Sequence, residues 1–239
     1  MRPISLFCFL LWSLLQASSS AGDDAVRVLF VGNSYSFQIP KVFAKLAESK
    51  GKKVVVEQVT KGGWSLEKHA AANATKDKIS AANWDYVVLQ EQSQIPSFPK
   101  EQAQKMMVAA AKSISDLAKK SGAEVLFFET WGRRDGDTRN RKDDTFEKMQ
   151  GRLTEGYAAV AKSCGGEVVP VGQVWAKLKR DELWSKDGSH PSKVGNSVAA
   201  AVFYARIFGE LAQGDRLAGL EKEVVDAVEE ISKTRSGTR

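Results

Sequence analysis

Three residues of this chain have the types and spacing needed to activate a hydroxyl group. Ser34 follows the apolar run VLFVG, in a stretch of small polar residues. The chain has two histidines: His69 falls within the amphipathic pattern SLEKHAAANA and is expected at the surface, whereas His190 lies in a turn before a helical segment. Asp187 precedes His190 by three residues, so its carboxylate can reach the imidazole across a tight turn. A hydroxyl, a base and an orienting carboxylate are the parts of a nucleophilic catalyst.

Each of these patterns also has a simpler explanation. Serine is a common helix N-cap, and an Asp-Gly pair forms turns without any catalytic role. Ser36 is a rival hydroxyl in the same stretch, although it lies deeper past the turn and is expected to bind the local backbone. The positions of Ser34 and His190 relative to the predicted strands favour the catalytic interpretation.

Apolar, β-branched runs alternate with amphipathic helical patterns along the chain. This alternation predicts a three-layer α/β/α sandwich around a central, mostly parallel five-stranded sheet. The predicted strands are Val26–Val31, Lys53–Val59, Tyr86–Gln90, Glu124–Glu129 and Glu167–Val171. The predicted helices are Pro40–Ser49, Ser65–Ala82, Lys100–Lys120, Thr145–Ser163, Ser192–Gly209 and Leu220–Lys233.

Ligands of such sheets bind beyond the carboxyl ends of the strands, so the residues that follow the strands are candidates for the site. Trp64 and Trp131 follow the second and fourth strands, where they are predicted either to line a substrate pocket or to pack in the core. The loop Gly132–Asp144 is charged and polar, and we expect it to be a mobile surface loop.

The amino terminus has the pattern of a secretory signal. Arg2 precedes the apolar run Ile4–Gln16, and small residues up to Ala21 offer a cleavage site, so residues 1–21 are predicted to be removed and the protein exported. Residues 22–235 are then predicted to form one domain, with residues 236–239 as a frayed tail.

Charge and cysteine content exclude several classes of function. The net charge is +6, but the basic residues are scattered among acidic ones, so no nucleic-acid partner is expected. No segment after the signal approaches the length of a membrane span, so no stable membrane insertion is expected. Only Cys164 remains after residue 21, which leaves no internal disulfide and no cysteine metal site. The predicted chemistry requires no metal and no cofactor, and the oligomeric state stays open.

The blocks VGNSYS, KGG, LQEQS and DGSHPS occur in the order and spacing of the SGNH (GDSL-like) hydrolases. The chain resembles that family over nearly all of the predicted domain, and the resemblance implies its flavodoxin-like fold. It also implies that Ser34 is the nucleophile and that His190 and Asp187 complete the triad. The backbone N–H groups of Ser34 and of a glycine in the second block, Gly62 or preferably Gly63, would form the oxyanion hole.

Two blocks depart from the family pattern. Asn33 replaces the aspartate of the better-known first block, and Gln-Glu-Gln-Ser replaces Gly-x-Asn-Asp, closer to the form found in sialate and xylan acetylesterases. Gln90 is predicted to be the side-chain oxyanion donor. Gln92 is its competitor and a candidate for the substrate pocket, and Glu91 is expected to be solvated or hydrogen-bonded to a loop.

The resemblance implies an exported serine esterase acting on O-acyl esters of carbohydrates, acetyl esters above all. Its partner would be a small-molecule or polysaccharide ester. Two alternatives stay open: an acyltransferase that uses the same triad, and a non-catalytic α/β binding module.

Overall fold

The computed structural model describes residues 25–211 and 219–236. The predicted signal peptide, residues 1–21, lies outside the described residues. The predicted tail begins at the last helical residue, and its remaining residues, 237–239, also lie outside them. Within the described part of the chain, no helix is both long enough and apolar enough to cross a membrane.

The predicted five-stranded sheet is confirmed, and all of its pairings are parallel. The strand order is β2-β1-β3-β4-β5, so the order reverses beside β1 and opens a crevice between the carboxyl ends of β1 and β3. The strands are β1 Val26–Gly32, β2 Val54–Thr60, β3 Tyr86–Leu89, β4 Glu124–Phe128 and β5 Glu167–Val169.

Helices cover both faces of the sheet, which confirms the three-layer sandwich. One face packs on α1, α6, α7 and α8 and the other on α2 to α5, because alternate residues of each strand point to opposite layers. The helices are α1 Ile39–Ser49, α2 Leu66–Ala71, α3 Asn73–Ser80, α4 Lys100–Lys120, α5 Phe146–Cys164, α6 Val171–Leu178, α7 Lys193–Phe208 and α8 Glu221–Ser236.

Two helical regions differ from the prediction. The single helix predicted over Ser65–Ala82 is two helices, because Ala72 adopts an extended conformation between them. Helix α6 was not predicted: Pro170 ends the fifth strand two residues early and precedes the first helical residue, Val171.

The charged loop 132–144 is held at several points, contrary to the expectation of a mobile loop. Arg152 of α5 binds both carboxylate oxygens of Asp144, at 2.9 and 2.7 Å. Asp144 also accepts the backbone N–H of Asp137 at 2.7 Å, and the Asp137 side chain accepts the amide of Gln94 at 2.7 Å. The loop therefore packs beside the segment that follows β3.

Candidate active site

Ser34 stands where the first strand turns into a short helical segment. β1 ends at Gly32, and the Asn33 side chain caps a single 3₁₀ turn over Ser34–Ser36 by accepting the N–H of Tyr35 at 3.2 Å. A Cβ at Gly32 would lie 2.6 Å from the side-chain oxygen of Gln90, so the close packing beneath the turn requires glycine. The turn leaves Ser34 half-buried at the carboxyl edge of the sheet.

Ser34, His190 and Asp187 form a continuous chain of hydrogen bonds. The Ser34 Oγ lies 2.9 Å from His190 Nε2, and His190 Nδ1 lies 2.6 Å from Asp187 Oδ2. The other oxygen of Asp187 accepts the N–H groups of Ser189 and His190 at 2.9 Å and the Ser185 hydroxyl at 3.0 Å. With the proton on Nδ1, the imidazole donates to Asp187 and accepts the Ser34 hydroxyl at Nε2.

These contacts keep the Asp187 carboxyl ionised. Partial burial by itself raises the pKa of Asp187, but the hydrogen bonds from the His190 imidazole, the two backbone N–H groups and the Ser185 hydroxyl outweigh that effect. The pKa of Asp187 therefore lies well below its usual range, and a negative charge faces the imidazole.

A stack of aromatic rings supports the turn that carries His190. Trp131 lies between Tyr35, 5.0 Å away between ring centroids, and Trp175, 4.0 Å away. Its Nε1 donates to the Ser189 carbonyl at 2.9 Å, and the hydroxyls of Tyr35 and Ser189 are 2.6 Å apart. Trp131 is fully buried, so of the two positions expected for it the structure has the one in the core, where it holds the His190 turn.

The glycine pair of the second block lies exposed after β2. Lys61 binds the Gly32 carbonyl through its N–H at 3.1 Å, and Trp64 donates to the Lys61 carbonyl at 3.1 Å, which closes a turn around Gly62 and Gly63. Gly63 has a φ of +70°, a conformation that favours glycine. Within the described part of the chain, the N–H groups of both glycines have no hydrogen-bond partner.

Two aromatic side chains flank this glycine turn. Trp64 is half-buried, with Lys61 Nζ 4.7 Å from its ring centroid. Phe37 is 42% exposed, and a ring carbon of Phe37 lies 3.9 Å from where a Cβ at Gly62 would stand. Phe37 was not among the predicted site residues. The sequence signal for Phe37 was an aromatic residue in the polar stretch shortly after Ser34.

Gln90 does not take the position predicted for it. Its side chain is fully buried, and its oxygen accepts the Asn33 N–H at 2.9 Å and the Ser36 hydroxyl at 3.0 Å. Its amide nitrogen donates to the Glu91 carbonyl. Both polar atoms of this amide thus bind groups of the chain beneath the turn that carries Ser34, which disfavours Gln90 as an oxyanion donor and gives Ser36 a structural role.

Gln92 is half-buried and keeps a donor available. Its side-chain oxygen accepts the N–H groups of Gln94 at 2.8 Å and Ile95 at 3.3 Å, which starts a 3₁₀ turn over Ile95–Ser97. Its amide nitrogen has only a long contact of 3.4 Å with the Gln94 side chain. Of the two glutamines, Gln92 is therefore the one whose side-chain N–H₂ is not bound in the core.

His69 is buried, so its predicted position at the surface is wrong. Its Nε2 lies 2.8 Å from the Gly32 carbonyl and its Nδ1 lies 3.0 Å from the Thr75 hydroxyl. Burial lowers the pKa of His69, partly opposed by the bond to Gly32. His69 lies within α2 as a helical residue, but on the side of the helix that meets the end of β1, where it binds the Gly32 carbonyl.

Glu91 is buried and hydrogen-bonded to a loop, which is one of the two positions expected for it. One carboxylate oxygen accepts the N–H of Leu66 at 3.0 Å and of Gln92 at 2.6 Å. Burial raises the pKa of Glu91 to about 7, although these two N–H groups act in the opposite direction. Among the described residues, no cluster of three or more histidine, cysteine or acidic side chains could hold a metal ion.

This fold, with a serine, a histidine and an aspartate in one hydrogen-bonded chain at the carboxyl edge of its sheet, is that of the SGNH-type hydrolases, which cleave ester bonds. A candidate SGNH hydrolase from Slackia heliotrinireducens is 28% identical and superposes with a TM-score of 0.65, over 75% of this chain and 97% of that one. The chain is therefore similar to SGNH (GDSL-like) hydrolases at low sequence identity, and these neighbours support an ester-hydrolysing enzyme.

Two further solved structures share the fold at lower identity. A DUF4886 family protein from Bacteroides uniformis has a TM-score of 0.70 at 15% identity, over 86% of this chain and 95% of that one. The acetyl xylan esterase AlAXEase has a TM-score of 0.59 at 15% identity, over 76% of this chain and all of that one. No protein-family model matches the chain, and a search of curated proteins found no match.

Proposed function

We propose that this protein is an exported serine esterase that hydrolyses O-acyl esters of carbohydrates, with acetyl esters as the preferred class. The observation that carries the proposal is the chain of hydrogen bonds from Ser34 through His190 to Asp187, at 2.9 and 2.6 Å. Export rests on the signal pattern of residues 1–21.

The geometry supports a two-step mechanism. The Ser34 Oγ attacks the ester carbonyl carbon while its proton passes to His190 Nε2, and Asp187 stabilises the resulting imidazolium. The tetrahedral intermediate collapses as His190 returns the proton to the leaving alcohol, which leaves an acyl group on Ser34. Water then attacks the acyl carbon with His190 again as base, and the acid and the free serine are released.

The oxyanion hole is assigned to three donors. The N–H groups of Ser34 and Gly63 have no partner in the described part of the chain, and both lie at the carboxyl edge of the sheet. Gln92 replaces Gln90 as the side-chain donor, because its amide nitrogen is not used in the core. Such donors stabilise the negative charge that develops on the carbonyl oxygen.

The substrate class rests on the surroundings of the glycine turn and on the neighbours. Phe37 and Trp64 offer apolar ring surfaces beside it, suited to the apolar face of a sugar or to a short acyl group. AlAXEase is an acetyl xylan esterase, and a structural neighbour from Geobacillus is an acetyl-xylooligosaccharide esterase with a TM-score of 0.60.

Release of acetate from acetylated xylan, and of p-nitrophenol from acetate, butyrate and octanoate esters, tests this proposal. Ser34→Ala should lose all of these activities, and Ser36→Ala, in the same turn, should keep them. Hydrolysis that survives in Ser34→Ala would refute the nucleophile. Transfer of acetyl to an added xylo-oligosaccharide in preference to water would identify an acyltransferase instead.

A further inference from the structure

Glu91 is a buried carboxylate that the mechanism above does not use. It is fully buried at the start of the segment that follows β3. One of its oxygens, Oε1, accepts two backbone N–H groups, while the other, Oε2, is buried without a hydrogen-bond partner among the described residues. Leaving a carboxylate oxygen unpaired in the core is costly, so its presence needs a reason.

The two N–H groups belong to the two segments that carry the proposed oxyanion donors. Leu66 begins α2 directly after the glycine turn and the Ser65 cap, and its N–H lies 3.0 Å from Oε1. Gln92 is itself a proposed donor, and its N–H lies 2.6 Å from the same oxygen. A single atom of Glu91 therefore ties the second block to the third.

Asn33 completes this connection from the side of the nucleophile. Its side-chain nitrogen donates to the Trp64 carbonyl at 2.9 Å and to the Glu91 carbonyl at 3.3 Å. The turn that carries Ser34 is thus fastened to the same two segments. Glu91 and Asn33 therefore both connect the segment after the glycine turn to the third block.

Ionisation of the Glu91 carboxyl is unfavourable at this buried position. Burial raises the pKa of Glu91 to about 7, and the nearby Glu67 carboxylate acts in the same direction. The two N–H groups need an acceptor oxygen at one particular point, which a neutral amide of the same length would supply equally well. The observed contacts therefore depend on the length of the Glu91 side chain and not on its charge.

We propose that Glu91 is a positioning residue of this hydrolase, which fixes the separation of the Gly63 N–H and the Gln92 side chain by binding both of their segments through one oxygen. This inference rests on the proposed function, because it assigns Glu91 a role in the same oxyanion hole.

Two substitutions of Glu91 distinguish the effect of side-chain length on kcat from the effect of charge. Glu91→Gln keeps the length and the acceptor oxygen, so kcat for p-nitrophenyl acetate should stay within about threefold of the wild type, well short of the loss of a donor. Glu91→Asp keeps the charge but is one methylene shorter, so kcat should fall about 10–10²-fold with KM little changed, as expected when reacting groups are displaced by about 1 Å. The opposite order would indicate an acid–base role and overturn the proposal, as would equal losses or wild-type rates in both variants.

Two further measurements distinguish positioning from a general loss of stability. Glu129 is a second fully buried glutamate that follows a strand of the sheet, and it binds Gln150, Thr154 and Gln173. Glu129→Asp should lower the melting temperature without the loss of kcat seen in Glu91→Asp. Glu91→Asp combined with Gln92→Ala should lose less kcat than the product of the two single losses, because both changes disable the Gln92 donor and only the displacement of the Gly63 N–H adds to it; fully multiplied losses would overturn the proposal.

Ser34→Ala, measured in parallel, separates this inference from the function on which it rests. If Ser34→Ala is inactive while both Glu91 variants behave like the wild type, only the positioning role fails. If Ser34→Ala remains active, the proposed function itself fails.

Discussion

The turn that carries His190 differs in its contacts from the buried anchor beneath Ser34, which consists of Gln90 and Glu91. Both support groups of the proposed site. The side chains of Asp187 and His190 are 51% and 44% exposed and belong to one local turn. Gln90 and Glu91 are fully buried, and their side chains bind Asn33 and Leu66, which lie 57 and 25 positions away along the chain. Local contacts thus orient His190, whereas long-range buried contacts hold the turn that carries Ser34 and the segments of the proposed oxyanion donors.

The largest effect is expected when the hydroxyl or the base is removed. Ser34→Ala and His190→Ala should each lower kcat by at least about 10⁴-fold, and the double variant should be scarcely worse, because the members of a triad act as a unit. Steady-state kinetics with p-nitrophenyl acetate measure this. Losses that multiply in the double variant would show that the two residues do not share a step.

A smaller loss of kcat is expected when Asp187, in the exposed turn, is replaced by its amide. Asp187→Asn should lower kcat by about 10³–10⁴-fold, because an amide favours the imidazole tautomer that cannot accept the serine proton. The melting temperature should change little, since the turn is largely exposed. A variant that keeps near-normal turnover would remove Asp187 from the triad.

Substitutions of the two glutamines of the third block should have different effects, that of Gln92 on kcat and that of Gln90 on the free energy of unfolding. Gln92→Ala should lower kcat about 10²–10³-fold with KM nearly unchanged, the usual loss for one oxyanion donor. Gln90→Ala leaves the Asn33 N–H and the Ser36 hydroxyl buried without an acceptor, so it should lower the free energy of unfolding by about 2–4 kcal/mol.

Steady-state kinetics and chemical denaturation of both glutamine variants measure the two effects. A normal kcat in Gln92→Ala would remove the third donor from the site. An unchanged free energy of unfolding in Gln90→Ala would contradict the buried network.

The smallest effect concerns the pH dependence of stability. The pKa of Glu91 is raised from 4.5 to about 7 in the folded protein, so the folded state binds more protons than the unfolded state between these values. The contribution of Glu91 is therefore most favourable below its unfolded pKa and is lost as the pH rises through about 7.

Denaturation at several pH values compares the wild type with Glu91→Gln. The amide does not titrate, so the variant should gain stability relative to the wild type as the pH rises, by up to about 3 kcal/mol above pH 7. A difference in unfolding free energy that is constant from pH 4.5 to pH 8 would contradict the buried, pH-sensitive carboxylate.

The sequence was most informative where structure depends on neighbours in the chain. The apolar, β-branched runs predicted all five strands, and the spacing of Asp187 and His190 predicted their contact in one turn. Helix α6 was missed because its first residue, Val171, was assigned to the preceding strand and no side-chain cap marks the start of the helix.

The buried anchor could not be derived in the same way. Alternate residues of an extended strand point in one direction, but β3 ends at Leu89, so strand alternation does not determine where the side chains of Gln90 and Gln92 lie. The contacts of His69 with Gly32 and of Glu91 with Leu66 join distant segments, and one sequence contains no signal for such pairings.

Mapping the covalent adduct of a fluorophosphonate tests the central claim most directly. After reaction of the purified protein, peptide mass spectrometry should locate one phosphonyl group on Ser34, with labelling much slower in His190→Ala and unchanged in Ser36→Ala. An adduct on another residue, or a protein that hydrolyses esters while Ser34 stays unlabelled, would contradict the assignment of Ser34 as the nucleophile.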